Sequence, residues 1–123
     1  MKMKFNILLV DDEKDISDSL TYLLESEGYE VYTASNGVQA EEIVREKEID
    51  FAILDYILED STGVQVAKIL HEIDENVRFM FFSGHSEVSD IENKLDFSVC
   101  EIFLKPIDPD DFLEKMRNIV MKE

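Results

Sequence analysis

The sequence predicts an α/β fold, a doubly wound parallel sheet of five strands with helices on both faces. Two observations carry that prediction. Five short runs rich in β-branched and aromatic residues recur along the chain. Between them lie stretches with apolar residues three and four positions apart, the spacing of one helix face. Strict alternation of this kind implies parallel strands joined by crossover helices. The 123 residues suit one compact domain.

The elements follow in order. "FNILLV" (5–10) is the first strand, and Ile16, Leu20, Leu23 and Leu24 share one face of the first helix before Gly28 stops it. "YEVYTA" (29–34) is the second strand; Asn36 opens a second helix marked by Val38, Ile43 and Val44. "FAILD" (51–55) is the third strand. Val66, Ile69, Leu70 and Ile73 keep helical spacing in the third helix, which leaves His71 on its polar side. "VRFMFFS" (77–83) is the fourth strand, followed by a sparser helix marked by Val88, Ile91 and Leu95. "EIFL" (101–104) is the fifth. Phe112, Leu113, Met116, Ile119 and Val120 mark the last helix, with Asp108 as its cap and Pro109 at its first position. No repeat, linker or low-complexity segment interrupts the series.

Composition excludes several function classes. Twelve basic against 29 acidic residues give a formal charge of −17, which argues against a direct grip on nucleic acid. The same charge suits a divalent cation or basic partners. No apolar stretch approaches the roughly 20 residues of a membrane helix, and "MKMKFNILLV" is too short in its apolar part for a signal peptide. Cys100 is alone, so no internal disulfide forms, and a reducing cytoplasm is the expected home.

The first strand ends abruptly in Asp11, Asp12 and Glu13. At about 4 Å, two like charges near a protein surface repel by roughly 4 kcal/mol, so such a cluster calls for a proton, a cation or solvent. In a doubly wound sheet, ligands sit beyond the carboxyl ends of the strands, where strand order reverses. With order 2-1-3-4-5, strands 1 and 3 are neighbours and Asp55 meets the acidic cluster; with order 3-2-1-4-5-6, strand 2 lies between them. Ser83 ends strand 4. Lys105 follows strand 5, two spacings from Asp55, and only a long side chain crosses that gap.

"VDDE" after strand 1, "LD" at Asp55, "FSGH" around Ser83 and "LKP" at Lys105–Pro106 together resemble the receiver domain of bacterial two-component response regulators, of the chemotaxis-regulator type. The resemblance covers essentially the whole chain, so residues 1–123 are expected to form a single receiver domain with no output domain. It implies a flavodoxin-like sheet of order 2-1-3-4-5. It implies that Asp55 is the phosphoacceptor, that Asp11, Asp12, Asp55 and the backbone carbonyl of Ile57 hold Mg²⁺, and that Ser83 and Lys105 contact the phosphoryl group. The phosphoryl donor is a sensor histidine kinase or a histidine phosphotransfer protein. The downstream protein target has no signature in the sequence; a phosphorylation-dependent dimer belongs to the same set of expectations.

The chemistry fits each part. A carboxylate is a competent nucleophile, and phosphoryl transfer is largely positioning and charge stabilisation. Mg²⁺ favours one or two carboxylates plus phosphate oxygens. The protein would catalyse only its own aspartyl phosphorylation and dephosphorylation, and is not expected to be an enzyme acting on a separate substrate. By resemblance, Ile57 and His85 flank the path of attacking water. Ile57 offers it no hydrogen bond, so slow hydrolysis is expected.

Blander roles exist for each residue taken singly: Asp12 or Glu13 as a helix cap, Ser83 as a turn former, Lys105 as a solvated charge. Joint placement at four strand ends outweighs them, whereas His71 and Cys100 lack partners and stay structural. A flavin-binding module would need a Gly- or Ser-rich phosphate loop after strand 1, where carboxylates stand instead. An aspartyl-phosphate phosphatase would want an acid at Ile57, and a receiver-like domain used only for protein contacts need not retain the whole constellation.

Four positions depart from the family pattern. Glu59 stands where a proline is usual, Ser98 and Val99 replace a Gly-Ala pair, and Ile102 occupies the aromatic switch position. Ile102 is too short and too stiff about its first torsion for a large swing, and Phe103 should face the opposite side of the sheet. Read-out is therefore expected through a displacement of Ser83 and the segment 84–100. The Lys105–Pro106 peptide is expected to be cis, as in the family.

Overall fold

The computed structural model describes residues 4–122. The elements run β1 (Asn6–Val10), α1 (Lys14–Ser26), β2 (Glu30–Ala34), α2 (Gly37–Glu46), β3 (Phe51–Asp55), α3 (Gly63–Ile73), β4 (Arg78–Ser83), a 3-10 turn (His85–Glu87), α4 (Val88–Lys94), β5 (Val99–Leu104) and α5 (Pro109–Met121). All strands pair in parallel in the order β2-β1-β3-β4-β5. The expected fold class and strand order are those observed.

Alternation along the strands divides the core into two layers. Leu8, Val10, Ala52, Leu54, Phe79 and Phe81 face α2, α3 and α4, meeting Ala40, Val44, Val66, Leu70 and Ile91. Ile7, Leu9, Phe51, Ile53, Met80 and Phe82 face α1 and α5, meeting Leu20, Leu24, Phe112 and Met116. Burial on both faces explains why the central strands read as continuous apolar runs rather than alternating ones.

The local signals act where the sequence places them. Gly28 ends α1 at φ 93°, a conformation glycine adopts without a Cβ penalty. The Asn36 side chain accepts the Gln39 N–H to start α2, and Asp108 accepts from Asp110 and Asp111 ahead of Pro109. The Lys105–Pro106 peptide is cis.

Several expectations need correction. β5 begins at Val99 instead of residue 101, because the β4–β5 register shifts between Phe79 and Met80 and accommodates an extra residue there. Ile16, Val38 and Ile69 are exposed. Val38 sits in the first turn of α2, and Ile69 lies on the flank of the stripe formed by Val66, Ala67 and Leu70. His71 is not free on a polar face: its ring stacks on Phe97 with centroids 4.1 Å apart and meets Phe79 edge-on. The connection between α4 and β5 folds Phe97 over α3 and makes that contact. Leu95 caps α4 and is not part of it.

Candidate functional site

The order β1-β3-β4 gathers the predicted residues at the carboxyl edge of the sheet. Asp11 extends β1, its N–H donating to the Ala34 carbonyl at 3.0 Å. Asp55 is the last residue of β3 and Ser83 the last of β4. Lys105 follows β5, and its N–H donates to the Ser83 carbonyl at 2.9 Å. Asp11, Asp55 and Ser83 are all buried, although each carries a polar group at the end of an apolar strand. Burying such groups is costly unless partners satisfy them.

Asp55 finds its partner across two strands. Lys105 Nζ donates to Asp55 Oδ1 at 2.8 Å and to Oδ2 at 2.9 Å. Burial alone would lower the Lys105 ammonium, but the hydrogen bond and charge of Asp55, with Asp11 and Glu13 behind, hold it above the usual lysine value. Ile57 N–H also donates to Asp55 Oδ1, at 3.4 Å.

One ligand oxygen from each of Asp11, Asp12 and Asp55 lies within 4.8 Å of the other two. The Asp11 carboxyl is pushed up to about 6 from 3.8, chiefly by burial, with the Asp55 charge adding to the rise. The Glu13 backbone N–H, donating to Asp11 Oδ1 at 2.9 Å, and the Lys105 charge oppose it. Clustered carboxylate oxygens, compensated by the Lys105 ammonium, suit a hard divalent cation. Glu13 holds the N-cap position of α1 but makes no side-chain capping bond, so simple helix capping does not account for the cluster.

The loop after Asp55 is held by backbone. Gly63 N–H donates to the Tyr56 carbonyl at 2.7 Å, and a Cβ on Gly63 would come within 2.4 Å of the Asp55 carbonyl oxygen. Glycine is required there by close approach. Ile57 is 62% exposed beside the acceptor, and His85 is exposed at the start of the 3-10 turn. Ile102 packs toward the layer of α2, α3 and α4, and Phe103 packs into the opposite one, as strand alternation requires.

Ser83 reaches the edge, and its hydroxyl is engaged by the segment that follows it. Its Oγ donates to the Gly84 carbonyl at 2.7 Å and lies 3.3 Å from Glu87 Oε1. Glu87 also accepts the Gly84 N–H at 2.8 Å. Tyr56, next to Asp55, donates its hydroxyl to Asp90 of α4. The hydrogen bond to Asp90 raises the Tyr56 phenol, with burial and the Asp90 and Glu87 charges adding. Sequence reasoning missed Glu87, Asp90 and Tyr56. The available signal was Glu87 three residues after Gly84, the spacing of a reciprocal helix-start contact.

The profile described as response regulator receiver domain matches residues 7–117. Sporulation initiation phosphotransferase F of Bacillus subtilis is 30% identical over 115 residues, 94% of this chain and 93% of that protein. Aerobic respiration control protein ArcA of Escherichia coli is 30% identical over 117 residues; the chain spans 95% of itself and 49% of that relative, about half its length. Among solved structures, a response regulator receiver domain protein from Clostridium thermocellum superposes with a TM-score of 0.84 at 25% identity, covering 96% of this chain and 95% of that one. The response regulator TrrA from Thermotoga maritima, solved in complex with Mg²⁺-BeF, gives a TM-score of 0.80 at 28% identity, with coverage of 94% and 98%.

Proposed function

The chain belongs to the family of response regulator receiver domains, and from that premise we propose that Asp55 takes a phosphoryl group and signals by the change this makes in the segment after Ser83. The observation that carries the reading is the grip of Lys105 Nζ on both oxygens of Asp55, at 2.8 and 2.9 Å, beside two further clustered carboxylates.

In this reading an Asp55 oxygen attacks the phosphorus of a phosphohistidine on a histidine kinase or phosphotransfer protein. The new O–P bond forms as the P–N bond breaks, and the electron pair leaves with the imidazole nitrogen, which is then protonated. Asp11, Asp12, Asp55 and the Ile57 carbonyl would hold Mg²⁺, which supplies charge neutralisation to the phosphoryl oxygens when bound. Lys105 leaves its resting contact with Asp55 to neutralise a phosphoryl oxygen, and the Ser83 hydroxyl turns toward another. Ile57 and His85 line the approach of water, and the apolar Ile57 gives that water nothing to orient it.

The chain is then both catalyst and acceptor of its own phosphoryl group, not a turnover enzyme, and works in the cytoplasm. A protein target, or a second copy in a phosphorylation-dependent dimer, reads the modified state. The excess of acidic residues disfavours direct contact with nucleic acid. The test is incubation with Mg²⁺ and a small acyl phosphate, followed by intact-mass analysis. A gain of one phosphoryl group, dependent on Mg²⁺ and absent in Asp55→Ala, is expected; no gain with any donor would refute the reading.

A further inference from the structure

Ser83 directs its single hydroxyl proton toward the wrong partners for a residue that is to hold a phosphoryl oxygen. The Gly84 carbonyl lies 2.7 Å from Oγ and Glu87 Oε1 lies 3.3 Å from it. The same Oε1 accepts the Gly84 N–H at 2.8 Å. That carboxylate oxygen thus holds the Gly84 N–H and lies within reach of the Ser83 hydroxyl, whose nearer acceptor is the Gly84 carbonyl. In the β3–β4 register Asp55 stands opposite Phe82, one residue before Ser83, so these donors flank the acceptor.

A phosphoryl group on Asp55 would seek donors of the same kind, in charge-assisted hydrogen bonds. It would also bring about two negative charges close to the Glu87 carboxylate. Glu87 and the phosphoryl group are therefore rivals for one pair of donors, and like charge opposes their sharing it.

We propose that Glu87 is a positioning residue that holds Ser83 and Gly84 in a resting arrangement, competes with the phosphoryl group for their donors, and is expelled when Asp55 is phosphorylated. This deepens the receiver reading and rests on it. Glu87 closes the 3-10 turn directly before α4, so its expulsion moves the start of that helix. α4 has seven residues and one fully buried side chain, Ile91, and Tyr56, the residue after the acceptor, donates its hydroxyl to Asp90 of this helix. Such a short, thinly packed helix opens easily. No rotation of Ile102 is needed: the carboxylate of Glu87 senses charge directly, where the family uses an aromatic ring.

The experiment titrates wild type, Glu87→Gln and Glu87→Ala with beryllofluoride in the presence of Mg²⁺. Fluorine NMR follows binding, and amide hydrogen exchange follows residues 84–94. Glu87→Ala should bind the phosphoryl mimic roughly tenfold more tightly, the value of one charge-assisted hydrogen bond at the low end. Glu87→Gln should gain less, because its amide oxygen still accepts but carries no charge. In wild type, exchange across 84–94 should quicken on binding, and both variants should show quickened exchange without the mimic. Loosened exchange with unchanged or weaker affinity in both variants would mean that Glu87 only caps the turn, and would overturn the proposal. If Glu87→Ala fails to fold, Glu87→Gln decides. If wild type itself takes no beryllofluoride, the receiver reading fails and the proposal falls with it; if wild type binds and the variants bind equally, the proposal alone falls.

Discussion

Asp11→Asn should stabilise the metal-free protein at neutral pH, although it removes a proposed metal ligand. In the native state the Asp11 carboxyl is raised to about 6 from 3.8, first by burial and then by the Asp55 charge, against the pull of the Glu13 N–H and Lys105. Because the native group is the weaker acid, its ionisation opposes folding. The penalty is absent below the unfolded value, grows between the two values and is complete above about pH 6. A gap of about two units at roughly 1.36 kcal/mol each sets an upper bound of about 3 kcal/mol at pH 7. Residual solvation of the cluster brings the expected gain to about 1–3 kcal/mol. Asparagine retains an oxygen for the Glu13 N–H, which donates at 2.9 Å, and cannot ionise. At about 4 °C per kcal/mol for a domain of this size, the melting temperature should rise by roughly 4–12 °C. The chain has no tryptophan, so far-UV circular dichroism in chelator is the assay, at pH 7 and near pH 4. The gain should fade toward pH 4. Mg²⁺ at a thousandfold excess over Kd should reverse the order of stabilities, adding about 4.1 kcal/mol to wild type. A variant no more stable than wild type at pH 7, or a gain unchanged near pH 4, would refute the reasoning.

Other positions give independent checks. Gly63→Ala puts a Cβ within 2.4 Å of the Asp55 carbonyl oxygen and 3.3 Å of Phe81, so the denaturant midpoint should fall by the equivalent of about 1–3 kcal/mol; an unchanged midpoint would contradict the close approach. Ile57→Asn places a hydrogen-bonding side chain beside the acceptor, and loss of the phosphoryl group by intact mass should quicken several-fold; equal rates would remove Ile57 from the water path. Lys105→Ala leaves the Asp55 side chain, 4% exposed, without its counter-charge. The cost should be about 1–3 kcal/mol, below that of a fully buried pair because the Lys105 side chain is 39% exposed, and unchanged urea unfolding would contradict it.

The sequence was most legible where a residue's environment is set by its own segment. Ile7 to Val10 and Phe51 to Leu54 are fully buried, so their runs are continuous and break sharply at Asp11 and Asp55. Asn36, Asp108 and Pro109 act within one helical turn, and their effects can be read locally. Lys105 could be assigned to Asp55 because parallel order and strand spacing leave a gap of about 10 Å that a lysine spans. Contacts between distant segments were not legible. Tyr56 and Asp90 meet across 34 positions, and neither residue's neighbours foretell the other. The Glu87 contact was hidden because α4, seven residues long, shows too little periodicity to fix the register of the turn before it. The stacking of His71 on Phe97 depends on how the α4–β5 connection lies over α3, and the start of β5 depends on a register shift. Val38 shows the limit of periodicity itself: the spacing marks a face, but not how far the core extends along it.

The most direct measurement is of the modified residue itself. The protein is treated with Mg²⁺ and an acyl phosphate, reduced with borohydride, which converts an aspartyl phosphate to homoserine, and mapped by peptide mass analysis. The account predicts homoserine at position 55 alone, dependent on Mg²⁺ and on the phosphodonor. Homoserine at position 11 or 12, or a phosphorylated protein with Asp55 unaltered, would contradict it.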